Sequence, residues 1–289
     1  MRLSSLSPRR RALVIGVAAL AVAGVATGVG LHAAGRSDHR AAAQDRLGPI
    51  VIVPGYGGSS APLRSLAARL RADGRAVVLV ALPDSATGPI AEQAAAVDAA
   101  VTRIERSGAP PVDVVGFSDG GLVARYWARH DGGSWRARRV VTLASPHHGT
   151  DLAAAVAGDG SAEGSGGDSG DGGGDAGGSQ LCPAACRDVA TGSALLTDLN
   201  AKDETPNGPL WVSIYSTDDG VVRPATSARL AGAVNIALQR VCPGIDVPHG
   251  QVPREALTVG IVRTVLGTAL PRAPSATQCQ ALRSAGALS

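Results

Sequence analysis

Apolar and polar positions along this chain fall into two alternating periods. Ile50–Val53 is a continuous β-branched run, as expected of a strand buried on both faces. It stops at Pro54-Gly55-Tyr56-Gly57-Gly58, after which Ser59 or Ser60 with Pro62 opens a helix through Arg71. The pattern then predicts a strand at Ala76–Leu82, a helix at Ile90–Ile104 and a strand at Val112–Val115, interrupted only by Asp113. This last strand runs into Gly116-Phe117-Ser118-Asp119-Gly120, and a helical stripe with Leu122, Val123, Tyr126 and Trp127 on one side follows at once. Further strands are predicted at Val140–Ala144, Leu210–Tyr215 and Ala233–Leu238, and helices at Ser193–Asn200 and from Arg254 to about Gly267. Strands alternating with helices predict an α/β fold, a mostly parallel sheet covered on both faces.

Two stretches break the pattern. Arg9-Arg10-Arg11 precedes Ala12–Leu31, a nearly uninterrupted apolar run, so residues 1–34 read as an export signal peptide or, if uncleaved, as an N-terminal anchor through residues 12–31. Under either reading the remainder lies outside the cytoplasmic membrane. Residues 158–180 are mostly Gly, Ser, Asp and Glu without a Lys or Arg, a composition unable to bury apolar surface. The tract reads as a disordered surface insertion within one catalytic domain, residues 45–289, because candidate catalytic groups flank it on both sides.

Composition narrows the classes. Among 289 residues 45% are hydrophobic but only 2% aromatic, so the core is built from Ala, Val, Leu and Ile. A net charge of +3 with scattered arginines lacks the footprint of a nucleic-acid binder. The four cysteines suit disulfides in an exported protein, and the favoured pairing is Cys182 with Cys186 and Cys242 with Cys279, the first pair being local. No His stands at finger-like spacing from the first pair, so no metal is expected. The chain is expected to act as a monomer.

The chemistry centres on Ser118. A serine in a sharp strand-to-helix turn stands above the sheet end, and flanking glycines allow strand and helix to approach closely. In a chain with 38 Gly, G-x-S-x-G arises by chance on the order of a few tenths of a time, so the strand before and the helix after give the motif its weight. A serine hydroxyl needs an adjacent base that is itself oriented by a carboxylate. Asp218 or Asp219, after the Leu210–Tyr215 strand, and His249, in a Pro-His-Gly loop, follow in the order Ser, Asp, His. The backbone N–H groups of Tyr56, in the glycine-rich turn, and Asp119, after the serine, are the candidate oxyanion donors. His147 and His148 are alternative bases but precede both aspartates.

The segments VPGYGG, GFSDGG, TLASPHHGT, IYSTDDGVV and PHGQ, in this order, together resemble secreted bacterial lipases of the class 2 type, in the α/β-hydrolase superfamily. The resemblance covers roughly Pro49–Gly267 without the insertion. It implies an α/β-hydrolase fold, Ser118, Asp219 and His249 as triad, Tyr56 and Asp119 as oxyanion donors, and hydrolysis of lipid or small carboxylic esters without a cofactor. It also favours Asp219 over Asp218, by its spacing from the Tyr-Ser pair. Many relatives have His where this chain has Pro54, a change of little consequence for a backbone donor. The same triad serves a cell-envelope acyltransferase, and a catalytically silent exported binding module is the alternative from another class.

Overall fold

The computed structural model describes residues 42–158 and 182–287. Contacts divide the chain into Met1–Arg40 and Ala41–Ser289, and every described residue belongs to the second unit. The expected signal or anchor, and the insertion apart from Gly158, lie outside the described residues.

Six strands form one sheet: β1 (Ile50–Val53), β2 (Val77–Leu79), β3 (Val112–Phe117), β4 (Ala137–Leu143), β5 (Leu210–Tyr215) and β6 (Val234–Ala237), in the order β2-β1-β3-β4-β5-β6. All five pairings are parallel, and β1 and β3 are neighbours in register Ile50 to Asp113 through Val53 to Gly116. The strands alternate with helices α1 (Arg64–Ala72), α2 (Ile90–Glu105), α3 (Asp119–His130), α4 (Asp151–Gly158), α5 (Ala184–Asp188), α6 (Ala194–Asn200), α7 (Leu238–Val241), α8 (Ala256–Val265) and α9 (Cys279–Gly286).

Side chains alternate across each strand, which fills two cores at once. Ile50 and Ile52 pack with Leu66 and Leu70 of α1 and Leu257 and Ile261 of α8, whereas Val51 and Val53 pack with Val97 of α2 and Leu122 and Trp127 of α3. This is the two-faced covering that continuous β-branched runs demand. β2 is shorter and less buried than the pattern suggests, because it stands at the sheet edge with one neighbour.

β4 begins three residues earlier than expected. Arg138 and Arg139 lie outside the expected strand Val140–Ala144, yet both are buried within β4. The pairing of β3 with β4 skips Arg138, a bulge that turns both guanidiniums toward one core. There Arg138 Nη2 lies 2.6 Å from Asp113 Oδ2 and donates to the Leu266 carbonyl, while Arg139 donates to the carbonyls of Val265 and Ala269. Burial, and then the neighbouring Arg138, lower the Arg139 guanidinium to about 10, so it remains charged at neutral pH. The arginines thereby terminate α8, whose last carbonyls need external donors.

Both expected disulfides are present, Cys182 with Cys186 and Cys242 with Cys279, and the second ties α9 to the residue after α7. Among the described residues no helix is long and apolar enough to cross a membrane.

Candidate active site

The six-residue run of β3 delivers Ser118 at the carboxyl end of the sheet, between two inner strands. Ser118 has φ 53° and ψ −127°, a strained conformation for a residue with a side chain. The turn closes because Gly116 and Gly120 lack side chains: a Cβ on Gly116 would sit 2.4 Å from the Gly120 carbonyl oxygen, and one on Gly120 2.4 Å from that of Val53. α3 starts at Asp119 and its apolar stripe, led by Leu122 and Trp127, holds the turn down onto the sheet.

Asp219 and His249 arrive from loops after β5 and β6. Asp219 Oδ1 accepts the N–H groups of Val221 (2.8 Å) and Val222 (2.9 Å), which fixes the carboxylate and leaves Oδ2 for the imidazole. His249 opens a short 3-10 turn, His249–Arg254, rather than lying in an irregular loop, because Gln251 N–H closes onto the Pro248 carbonyl. Its Nδ1 is 2.8 Å from Asp219 Oδ2 and its Nε2 3.1 Å from Ser118 Oγ, with the ring 5.1 Å from that of Phe117. Such a chain can move a proton off the serine hydroxyl and hold the resulting imidazolium.

The rival residues are engaged elsewhere. Asp218, in the turn beyond β5, accepts from Gln239 Nε2 at 2.7 Å rather than from the imidazole. His147 is buried against Thr142 Oγ1 at 2.9 Å, and burial, with Arg125 next, lowers its basicity well below the usual imidazole range. His148 pairs with Glu204 at 2.9 Å, and His130 with Asp198 at the surface.

Tyr56 and Asp119 flank the serine. The Tyr56 amide has no hydrogen-bond partner among the described residues, and that of Asp119 opens α3, where no intrahelical carbonyl can reach it. A cavity of about 320 Å³ opens from Ser118, walled by Pro146, Ala153, Val156, Val189 and Val222, with Tyr56, Leu152 and Val221 exposed around it. Leu152, Ala153 and Val156 belong to α4, Cys186 of the lining belongs to α5, and Val189 follows α5 directly. Neither helix was legible in the sequence, because each borders the glycine-rich tract and is too short to show a periodic stripe. Among the described residues no group of three or more His, Cys, Asp or Glu is placed to hold a metal.

The sequence reading assigned the Asp119 side chain nothing. It is 5% exposed and borders the cavity. Burial pushes its carboxyl up to about 7; His249 opposes the rise, Asp188 adds to it and the residue's own amide opposes it. A carboxyl whose folded value exceeds its unfolded one holds its proton more tightly in the folded state. The pH-dependent cost of burying it is therefore absent below about pH 4, grows as pH rises to about 7, and is constant above that. Asp119→Asn removes this dependence. In urea unfolding it is expected to gain on the wild type with rising pH, by up to about 4 kcal/mol at pH 8. A gain that is equal at pH 5 and pH 8 would contradict the burial of an ionisable carboxyl.

The architecture matches known proteins. The chain aligns with Aspergillus fumigatus lipase B at a TM-score of 0.59 and 16% identity, covering 82% of this chain and 61% of the lipase. It aligns with mature Bacillus licheniformis lipase BlEst2 at 0.58 and 19%, covering 76% and 92%, and with the metagenomic carboxyl esterase MGS0156 at 0.50 and 16%, covering 85% and 77%. The protein has the α/β-hydrolase fold. By sequence, residues 49–169 match the palmitoyl protein thioesterase family, a span that includes Tyr56, Ser118 and Asp119 and ends before Asp219 and His249. No curated protein matches the chain by sequence.

Proposed function

We propose that the protein is a serine hydrolase of carboxylic esters, with Ser118, His249 and Asp219 as catalytic triad. The observation that carries this reading is the hydrogen-bonded series Ser118 Oγ, His249, Asp219 at the mouth of an apolar cavity. Ser118 Oγ attacks the ester carbonyl as His249 Nε2 takes its proton, and Asp219 Oδ2 holds the imidazolium through Nδ1–H. The amides of Tyr56 and Asp119 receive the oxyanion. His249 then protonates the leaving alcohol, and water, activated by the same imidazole, releases the acid. The apolar wall of Pro146, Ala153 and Val156 suits an acyl chain.

Acyl thioesters are the second reading, favoured by the match of residues 49–169 to palmitoyl protein thioesterases. A site outside the cytoplasm fits two disulfides and an apolar N-terminal run after three arginines.

The test is hydrolysis of matched p-nitrophenyl esters and acyl thioesters of increasing chain length by the full chain, with fluorophosphonate labelling followed by mass spectrometry. Ester or thioester turnover and a label on Ser118 are expected. A folded protein that neither turns over any acyl donor nor labels at Ser118 would overturn the proposal, and the exported binding module would replace it.

A further inference from the structure

The cavity beside Ser118 contains a polar feature that hydrolysis of a plain hydrocarbon ester does not require. Asp119 Oδ2 is buried and has no hydrogen-bond partner among the described residues. The other buried polar side chains of the wall are occupied: Ser118 meets His249, and Thr150 Oγ1 donates to the Val221 carbonyl at 2.5 Å. Tyr56 stands at the exposed rim. Asp119 lines the cavity, and a substrate without a matching group leaves this carboxyl desolvated and unpaired.

Resting on the serine hydrolase reading, we infer that Asp119 is a specificity-determining residue that selects acyl groups bearing a hydroxyl close to the scissile carbonyl. The amide of Asp119 faces the carbonyl oxygen on that reading, and its carboxyl is two bonds from the same backbone nitrogen's Cα. The side chain therefore reaches the second or third carbon of the acyl chain and nothing far beyond. A hydroxyl suits the carboxyl in both protonation states, because it donates to an ionised oxygen and also accepts from a protonated one. The proton is available near neutrality, since burial raises the group to about 7. The rest of the wall remains apolar, so the preferred acid has a polar group near its carboxyl end and a hydrocarbon remainder.

The experiment compares kcat/KM of the full chain on p-nitrophenyl octanoate, its 2-hydroxy and 3-hydroxy derivatives, and the 8-hydroxy derivative as a control for distant polarity. The wild type is expected to favour one of the near hydroxyls over plain octanoate by about tenfold or more, with no such gain from the distant one. Asp119→Asn, whose amide both donates and accepts, is expected to keep most of that ratio, and Asp119→Leu to bring it to about one or below. An active wild type with a ratio near one, or a Leu variant that keeps the preference, overturns this inference while leaving the hydrolase reading intact. If the Leu variant fails to fold, the wild-type ratio and the Asn variant decide. A wild type inert on every ester and unlabelled at Ser118 removes both readings together.

Discussion

Ser118→Ala is expected to lower kcat for ester hydrolysis by about a millionfold, and adding His249→Ala to that variant is expected to cost nothing further. On the proposed mechanism the two residues act as one unit. Without the hydroxyl there is no proton for Nε2, 3.1 Å away, to take, and without the imidazole the hydroxyl is a poor nucleophile. Asp219→Asn is expected to cost about 10⁴-fold. The amide keeps the shape, but it presents either a donor to Nδ1 or the wrong tautomer to Ser118. The adjacent Asp218→Asn is expected to remain within a few-fold of wild type, since Asp218 serves Gln239 rather than the imidazole. Steady-state kinetics on one p-nitrophenyl ester, with unfolding midpoints to verify each fold, makes the comparison. Equal damage at Asp218 and Asp219, or additive losses for Ser118 and His249, would dissolve the proposed triad.

The contrast between the two aspartates illustrates how much of this molecule can be read without coordinates. The sheet was legible because its inner strands are apolar on both faces, which only parallel α/β packing requires. The elbow was legible because its glycines are demanded by backbone contacts of a few ångströms and cannot drift. Asp219 and His249 were legible in order and spacing, but the choice between Asp218 and Asp219 turns on which carboxylate the Val221 and Val222 amides hold in place. The cavity wall was not legible. α4 and α5 border a tract whose composition reads as loop, and Ala and Val in such short helices announce no face. The Asp119 carboxyl was missed for another reason. Sequence identifies a residue at the head of a helix, where acids are common and solvated, and only the packing reveals that this one is buried beside Ser118.

The same logic, a charge whose meaning depends on burial, governs the opposite end of β3. Asp113 is fully buried, and its Oδ2 takes Arg138 at 2.6 Å and Arg75 at 2.7 Å. Asp113→Ala is expected to destabilise the protein by about 3–5 kcal/mol, because it strands the Arg138 guanidinium, which is itself fully buried, without a counter-charge. Carbonyls of Gln44, Leu266 and Gly267 still accept from Arg138, but they supply no net charge. Arg75 is less affected, since it is partly exposed and keeps the Gly48 and Leu266 carbonyls. Asp113→Val with Arg138→Met, which removes both charges and fills the space with apolar atoms, is therefore expected to recover more than half of the loss. Asp113 and Ser118 are five residue steps of extended chain apart, roughly 17 Å, so kcat per folded molecule should hardly change in either variant. Urea unfolding of the three proteins decides the matter. A double variant no more stable than Asp113→Ala would mean that the cost lies in lost packing rather than in a stranded charge.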